Sequence, residues 1–497
     1  MNEAQRITEW VEQKKESAIA LARAVWGFAE PNWRETQSAA AISAALEAEG
    51  FALERRPCGM ETAFVATWGG EGPVIAFLGE YDALPALSQQ AGRAEKAPLC
   101  EGAPGHGCGH NLLGAGSFAA AVALKDYCRE TGLRATVKYF GCPAEEDGGG
   151  KVFFARAGYF DKVDAVFAWH PGPANYVSGQ GCLAVTGVLY SFKGRTAHAA
   201  GAPFAGRSAL DAAELMNVGC NYLREHIIPE ARLHYAYRDV GGTAPNVVQE
   251  SACVHYYIRA PRVAQMLDIK RRVDDVARGA ALMTGTALTI REVDGFSDYV
   301  PNRALSELLW QCMREVGAPA WDEADRALAA QFAATLSAGE RADNLASTLS
   351  TDLPLSHYAG KDLDDGIAPF FYDPKTAEPG STDVGDVSYC APTAQCYYAA
   401  GALGTGGHTW QMAAQSCSPL GFKGAGGRAR GSGPRASGPG QGAARAKLPG
   451  RLHLPHAGKR RPRICGIGPG PAGAAAREGT PLGARARRPH LRKPPAP

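Results

Sequence analysis

The feature that most constrains the fold is a set of short motifs with metal-binding side chains, most of them directly after an apolar stretch that indicates a strand. Thiolate, imidazole and carboxylate groups are the ligands that hold borderline divalent ions such as zinc or manganese. In an open α/β sheet, the loops at the carboxyl ends of the strands converge on one crevice. The sequence therefore predicts a metal site assembled from distant segments, and hence a metallohydrolase. The candidate side chains are Cys108, His110, Glu145, Glu146, His170 and His408.

Each motif on its own also has an ordinary structural interpretation. A cysteine such as Cys108 is commonly a small buried core residue, although the single glycine between it and His110 lets both side chains point to the same side. Glu145 and Glu146 repel each other unless a cation neutralises one of them. They are therefore either a metal ligand and a general base, or a solvated acidic turn. The two remaining histidines are each more often structural when taken alone, and only the coincidence of the motifs favours a metal site.

Length and composition limit the class of protein. At 497 residues the chain is long enough for two or three domains, and 45% hydrophobic with 21% charged residues is typical of a soluble globular protein. Because the first residues are polar, we expect no signal peptide. No run of the sequence approaches the ~20 apolar residues of a membrane span. Thirteen cysteines, an odd count without framework spacing, favour a reducing compartment. We expect a cytoplasmic protein without a membrane partner.

The charge is divided between an acidic body and a basic tail. Residues 425–497 hold sixteen Lys and Arg against one acidic residue, Glu478, which leaves 36 basic and 49 acidic residues for 1–424. The tail is rich in Gly, Pro, Ala and Arg without periodicity, so it cannot bury enough apolar surface to fold and we expect it to be disordered. Its amino-acid composition resembles that of a GC-rich gene translated in the wrong reading frame. A basic tail can bind nucleic acid, but we expect no nucleic-acid partner.

The alternation of strands and helices predicts an α/β fold with a mostly parallel sheet. Residues 1–182 and 295–424 are assigned to this catalytic domain, in which 319–379 is expected to be a long polar connection that serves as a lid or partner-facing insertion. Residues 183–294 change to a β-α-β-β-α-β-like pattern, which predicts an inserted α+β, ferredoxin-like domain whose edge strands pair with a second subunit. Strands are expected at 73–78, 135–140, 164–169, 183–193, 247–259 and 287–292, and helices at 111–127, 151–157, 206–223 and 264–282.

The motifs resemble the M20 family of metal-dependent amidohydrolases and peptidases over about residues 1–423. Within the family, the stretches 81–85, 87–92 and 381–388 resemble the group of p-aminobenzoyl-glutamate hydrolase B subunits. The family resemblance is carried by the runs at 105–111, 143–151, 169–171, 193–200 and 407–410. It implies a catalytic domain with an inserted dimerisation lid.

The resemblance implies a site with two divalent metal ions, zinc or manganese. Glu145 would be the general base, and Asp82 would fix the orientation of a ligand by hydrogen bonding to it. The implied metal ligands are Cys108, His110, Glu146, His170 and His408.

The resemblance also implies substrate contacts from the inserted domain. In the family, a histidine at the position of His198 reaches across a dimer toward the scissile carbonyl, and Asn246 and Arg259 match residues that contact substrate. Two of these have structural alternatives: Asn246 follows Pro245 in a turn, and Arg259 could be a surface residue of a strand. We expect a homodimer, or a heterodimer with a related subunit, formed through the lid domain.

The implied reaction is hydrolysis of the amide bond of an N-acyl amino acid. The expected substrate is p-aminobenzoyl-glutamate, a folate catabolite, which would give p-aminobenzoate and glutamate. The stretch 145–151 also resembles dipeptidases that cleave β-alanyl or γ-aminobutyryl conjugates of basic amino acids. A non-catalytic partner subunit is a third interpretation.

The chain departs from the family pattern after Lys423. The family continues there into a helix that closes the catalytic domain, with 421–424 near its start. We expect the loss of that helix to expose core surface, which at ~25 cal/mol per Å² amounts to several kcal/mol.

Overall fold

A computed structural model describes residues 3–349 and 351–431 of the chain. In these residues, no helix is both long and apolar enough to cross a lipid bilayer. The strands are β1 (Ala52–Arg55), β2 (Phe64–Trp68), β3 (Val74–Glu80), β4 (Thr136–Cys142), β5 (Ala165–Gly172), β6 (Tyr176–Val177), β7 (Gln180–Cys182), β8 (Ala184–Lys193), β9 (Arg232–Asp239), β10 (Ser251–Ala260), β11 (Ala287–Phe296), β12 (Asp373–Glu378) and β13 (Thr393–Ala399). The helices are α1 (Glu3–Phe28), α2 (Thr36–Ala48), α3 (His110–Thr131), α4 (Gly150–Arg156), α5 (Ala209–Leu223), α6 (Val263–Thr284), α7 (Arg303–Val316), α8 (Glu323–Ala333), α9 (Ala338–Thr348), α10 (Val384–Ser388), α11 (Trp410–Gln415) and α12 (Pro419–Gly431).

The central sheet has seven strands in the order β1-β2-β4-β3-β5-β13-β6. Its four middle strands, β4, β3, β5 and β13, run parallel, and antiparallel strands flank them. The middle strands are apolar on both faces because helices cover the sheet, as is usual for parallel sheets. Their carboxyl ends therefore lie along one edge, where Glu80, Cys142 and His170 end or nearly end their strands.

The second sheet belongs to the inserted unit and is fully antiparallel, in the order β11-β8-β10-β9. Its chain order β8-α5-β9-β10-α6-β11 is the ferredoxin-like β-α-β-β-α-β arrangement, with both helices packed on the sheet through one shared apolar core. The predicted fold class, an α/β catalytic domain with an inserted α+β unit, is thus confirmed. The predicted boundaries at 183 and 294 stay a prediction.

The prediction of a long polar connection at 319–379 is wrong, because much of this region is regular structure. It contains α8, α9 and β12. Both helices begin with a capping box, Asp322 with Asp325 and Ser337 with Glu340, in which each side chain accepts a hydrogen bond from the backbone of the other residue. Such a spacing before an alanine-rich run is a helix-start signal that the sequence interpretation missed.

The expected loss of the closing helix after Lys423 is also wrong for the described residues. Helix α12 continues to Gly431 and packs against α1, α3 and α7. Leu420 is fully buried, and the guanidinium of Arg23 lies 4.6 Å from the ring centre of Phe422. Glycine and alanine in this stretch tolerate the helix although they do not favour it strongly. Residues 425–431 form the end of α12; the predicted disorder of the tail stays a prediction, and the rest of 425–497 lies outside the described residues.

Truncation of Leu420 tests whether α12 closes the core. We expect Leu420→Ala to lower the free energy of unfolding by about 2–5 kcal/mol, because a buried leucine is removed from a packed site. Leu99→Ala is the control, since Leu99 is 65% exposed, and should change the unfolding free energy by less than about 0.5 kcal/mol. Urea unfolding of the full chain provides the measurement, and equal effects of the two substitutions would contradict the packing of α12.

Candidate metal centre

The first elements of the site are the end of β3 and the start of α3. His110 opens α3 and is fully buried, and its Nδ1 donates to Oδ1 of Asp82 at 2.8 Å. This bond turns Nε2 of His110 toward the neighbouring strand ends. Gly109, directly before His110, has a φ of 83° and packs closely against two side chains. A Cβ at this position would lie 2.7 Å from Pro171 and 2.8 Å from Met412. Only glycine fits at that position.

Three overlapping groups of donor side chains lie at these strand ends: two share Cys108, and the third consists of Glu80, His110 and Glu145. In the first, the donor atoms of Cys108, His110 and His170 lie within 4.8 Å of one another, and in the second, those of Cys108, Glu146 and His408 do so. The thiol sulfur of Cys108 is 3.2 Å from Nε2 of His170, and Nε2 of His408 is 3.2 Å from Oε2 of Glu146. The two groups share Cys108. These side chains would therefore hold two ions, with Cys108 able to contribute to both sites.

Two buried atoms in these groups lack a hydrogen-bond partner among the described residues. They are Nε2 of His110, which lies 3.2 Å from Oε2 of Glu80 without hydrogen-bond geometry, and Oε1 of Glu146. An unpaired buried polar atom costs roughly 1–3 kcal/mol, and native proteins avoid it unless an ion or water fills the gap. Thiol, imidazole and carboxylate donors are the set that zinc accepts. The residues present therefore fit a pair of divalent cations.

Burial and neighbouring charges shift the pKa values of the site groups. Burial, together with the charge of Glu146, raises the pKa of the Cys108 thiol well above its usual value. Burial and then the charges of Glu80 and Glu146 raise the pKa of Glu145 strongly. Burial and the neighbouring His110 lower the pKa of His170 to about 4, so this imidazole is neutral, as a ligand must be. A bound cation would favour the thiolate and the carboxylates.

Three functional residues escaped the sequence interpretation: Glu80, Lys151 and Asp383. The ammonium of Lys151, wholly buried, lies 2.5 Å from a carboxylate oxygen of Glu80 and 2.5 Å from one of Asp383. The other oxygen of Glu80 is 3.2 Å from Nε2 of His110. Two sequence features could have indicated them: Glu80 ends an apolar run that predicts a buried strand, and Lys151 follows three glycines. Its partner Asp383 lies more than two hundred residues away, so spacing alone could not connect them.

Two cavities open beside the donor groups, and both are lined by Cys108, His170 and His408. The larger has a volume of about 370 Å³ and also contains Glu145 and Arg259 in its wall. The guanidinium of Arg259 donates to the hydroxyl of Ser381 at 2.9 Å. The smaller cavity, of about 280 Å³, is lined mainly by glycine, proline and uncharged side chains, with Glu378 and Tyr397 shared between the two.

Two predicted substrate residues lie away from this centre within one chain. His198 and Asn246 are exposed on the inserted unit and line neither cavity. They are neighbours, because the backbone N–H of Ala199 donates to the carbonyl of Asn246 at 3.0 Å. Nδ1 of His198 accepts hydrogen bonds from the amides of Ala200 and Gly201 at 3.2 and 3.0 Å. Of the three lid residues, the structure brings only Arg259 to the donor groups.

A parallel-sheet domain with buried sulfur, imidazole and carboxylate donors at its strand ends and an inserted ferredoxin-like unit defines the class of two-domain metallohydrolases. Over residues 76–359 the chain matches the model of peptidase family M20/M25/M40. The chain belongs to this family, as the motifs predicted.

The chain is similar along most of its length to characterised members and to a solved structure. It is 42% identical over 424 residues to the B subunit of p-aminobenzoyl-glutamate hydrolase from Escherichia coli strain K12, an alignment that covers 84% of this chain and 88% of that protein. It is 32% identical over 327 residues to the Xaa-Arg dipeptidase of Mus musculus, with 63% and 71% covered. A Bacillus subtilis structure described as a dinuclear metal-binding peptidase from the M20 family has a TM-score of 0.52 at 17% identity, with 84% and 98% covered.

Removal of the buried ammonium tests the ion pairs beneath the donor groups. We expect Lys151→Met to lower the free energy of unfolding of the metal-free protein by about 3–5 kcal/mol, because two buried carboxylates lose their cation. Lys96→Met is the control, since Lys96 is exposed, and should cost less than about 0.5 kcal/mol. Urea unfolding in the presence of a chelator measures both, and a loss under about 1 kcal/mol for Lys151→Met would show that Glu80 and Asp383 do not depend on it.

Proposed function

We propose that this protein hydrolyses the amide bond of an N-acyl amino acid, with p-aminobenzoyl-glutamate as the first substrate to test. The observation that carries the proposal is the sharing of Cys108 between two donor groups with Glu145 beside them. The relative that is 42% identical is named as the B subunit of a p-aminobenzoyl-glutamate hydrolase, and this name supports the choice of substrate. The products would be p-aminobenzoate and glutamate.

Two divalent ions, zinc or manganese, would be held by Cys108 with His110 and His170, and by Cys108 with Glu146 and His408. Such a pair polarises a carbonyl and lowers the pKa of nearby water. Asp82 fixes the ring of His110 through its 2.8 Å hydrogen bond, which keeps Nε2 directed at the ion position.

Glu145 is proposed as the general base. Its carboxyl faces the larger cavity and lies in the donor group with Glu80 and His110, not in either group that contains Cys108. It would take a proton from the attacking water and deliver it to the leaving nitrogen.

The walls of the two cavities suggest how the substrate lies. Arg259 and the hydroxyl of Ser381 in the larger cavity would bind the carboxylate of the amino acid half. The smaller cavity lacks an arginine or lysine in its wall, among the residues described, and has room for an aromatic acyl group. The scissile carbonyl would then lie over the shared residues Cys108, His170 and His408.

His198 and Asn246 would be supplied by a second chain, because one chain leaves them exposed and away from its own cavities. Nε2 of His198 would donate to the oxyanion that develops on the carbonyl. The partner is either a second copy of this chain or a related subunit, as the word subunit in the relative's name suggests.

The cysteine content supports a cytoplasmic location.

A dipeptidase activity on conjugates of basic amino acids is the second candidate. Asp294 and Glu378 line the larger cavity beside Arg259, so its wall also carries negative charge that would suit a basic side chain. The 32% identical Xaa-Arg dipeptidase supports this alternative. A non-catalytic partner subunit would retain the donor groups but turn over neither kind of substrate.

Substrate turnover with zinc or manganese tests the proposal directly. We expect release of glutamate from p-aminobenzoyl-glutamate, and a lower rate with β-alanyl-arginine or β-alanyl-lysine. Glu145→Gln should reduce kcat by about 10²–10⁴-fold, because a general base contributes that much, and should leave the metal content unchanged. The metal content is measured by atomic emission on the same preparations. Loss of metal in Glu145→Gln would make this residue a ligand instead of the base.

Mixing two inactive variants tests whether the site is shared between chains. His198→Ala and Glu145→Gln should each be nearly inactive alone. In a two-fold symmetric dimer formed by unfolding and refolding them together, one hybrid site has both residues intact, so we expect recovery to at most about a quarter of the wild-type rate. Glu145→Gln mixed with itself is the control. Absence of recovery in verified hybrids would place His198 outside the partner's site.

A further inference from the structure

The loop that carries Glu145 and Glu146 has a strained backbone. It connects β4 with α4, and Ala144 within it adopts a φ of 54°, in the left-handed region. This conformation costs a residue with a Cβ roughly 1–2 kcal/mol. The loop would relax, and the carboxylates would turn away, unless the surrounding structure holds it.

Two buried carboxyl groups hold the loop on either side of Glu145. The amide of Ala144 donates to Oε1 of Glu35 at 2.8 Å, and the amide of Glu146 donates to Oδ2 of Asp82 at 3.0 Å. Asp82 is already accounted for by its bond to His110. Glu35 has no part in either donor group and lies more than a hundred residues earlier in the chain.

The carboxyl of Glu35 is itself fixed in place. It is fully buried, its Oε1 also accepts from the amide of Trp33 at 2.9 Å, and its Oε2 accepts from the hydroxyl of Thr62 at 2.8 Å. The carbonyl of Thr62 in turn accepts from the hydroxyl of Tyr81 at 2.7 Å. A group held by so many partners is a rigid anchor for whatever it binds.

We propose that Glu35 is a positioning residue that holds Ala144 in its left-handed conformation and thereby aims the carboxylate of Glu145 at the reacting carbonyl. This inference rests on the proposed function, because it takes Glu145 as the base. With Asp82 it forms a clamp on the two amides that flank Glu145. A displacement of about 1 Å in a catalytic group is enough to reduce the rate by roughly 10²-fold.

Glu35 also has an ordinary structural role, since it immediately precedes α2. Glu30 provides a matched control for that role. Its carboxyl is nearly as buried and accepts hydrogen bonds from the amides of Gln37 and Ser38 at 3.0 and 2.9 Å, at the start of the same helix. All of its side-chain hydrogen bonds go to residues 36–38, and none reaches the loop at 143–149.

Three variants separate positioning from folding. We expect Glu35→Ala to lower kcat by about 10–100-fold with KM within twofold and with unchanged metal content. Glu35→Gln keeps an acceptor for the amides of Trp33 and Ala144 and should restore kcat to within about threefold of the wild type, because the lost contact is a hydrogen bond and not a charge. Glu30→Ala should lower the melting temperature and leave kcat within about threefold.

A second measurement does not depend on turnover. Hydrogen exchange of peptides that span 143–149 should be faster in Glu35→Ala than in the wild type and unchanged in Glu30→Ala, since only the first loses the bond to Ala144. If the wild type cleaves none of the amides, the proposed function fails and the exchange result still decides whether Glu35 holds the loop. Equal exchange in the two alanine variants, wild-type kcat in Glu35→Ala, or its loss of metal would each overturn the inference.

Discussion

The carboxylate of Asp82 is the contact on which the site depends. One oxygen accepts from Nδ1 of His110 at 2.8 Å, and the other accepts from the backbone amide of Glu146 at 3.0 Å. A single group at the end of β3 therefore orients the first residue of α3 and the loop after β4. Because His110 and Glu146 belong to different segments of the chain, loss of the Asp82 carboxylate would allow their donor atoms to move relative to each other. The parallel pairing of β3 with β4 brings the loop after β4 to that group.

The balance of charge around Asp82 explains why cations belong there. Glu80, Glu145 and Asp383 add three further carboxyl groups, and the ammonium of Lys151 pairs with two of this set. Concentrating carboxyl groups in a buried site is unfavourable unless cations neutralise them or protons do. Burial and the charge of Glu80 raise the pKa of Glu145, so this carboxyl binds a proton more readily than an exposed one. Divalent ions would instead neutralise the charge of the carboxylates at neutral pH.

The sequence predicts the parts of this site that are local and fails for those that are distant. Strand ends, the Cys108 and His110 spacing and the paired glutamates were readable because each lies within a few residues of an apolar run. Lys151 and Asp383 were not assigned, because their meaning lies in a contact across the fold. Strand β9 was missed because most of its side chains are exposed, so its hydrophobic pattern is weak. Helix α12 was underestimated because tertiary packing outweighs the low helix propensity of its glycines.

The same limit applies to His198, which is exposed on the inserted unit and lines neither cavity of its own chain. Two backbone amides donate to its Nδ1, so a neutral ring carries its proton on Nε2. The ring of His198 is exposed, so its Nε2 N–H does not face either cavity of its own chain. Completion of the site by a second chain, as proposed above, would bring this donor to the oxyanion of a bound substrate.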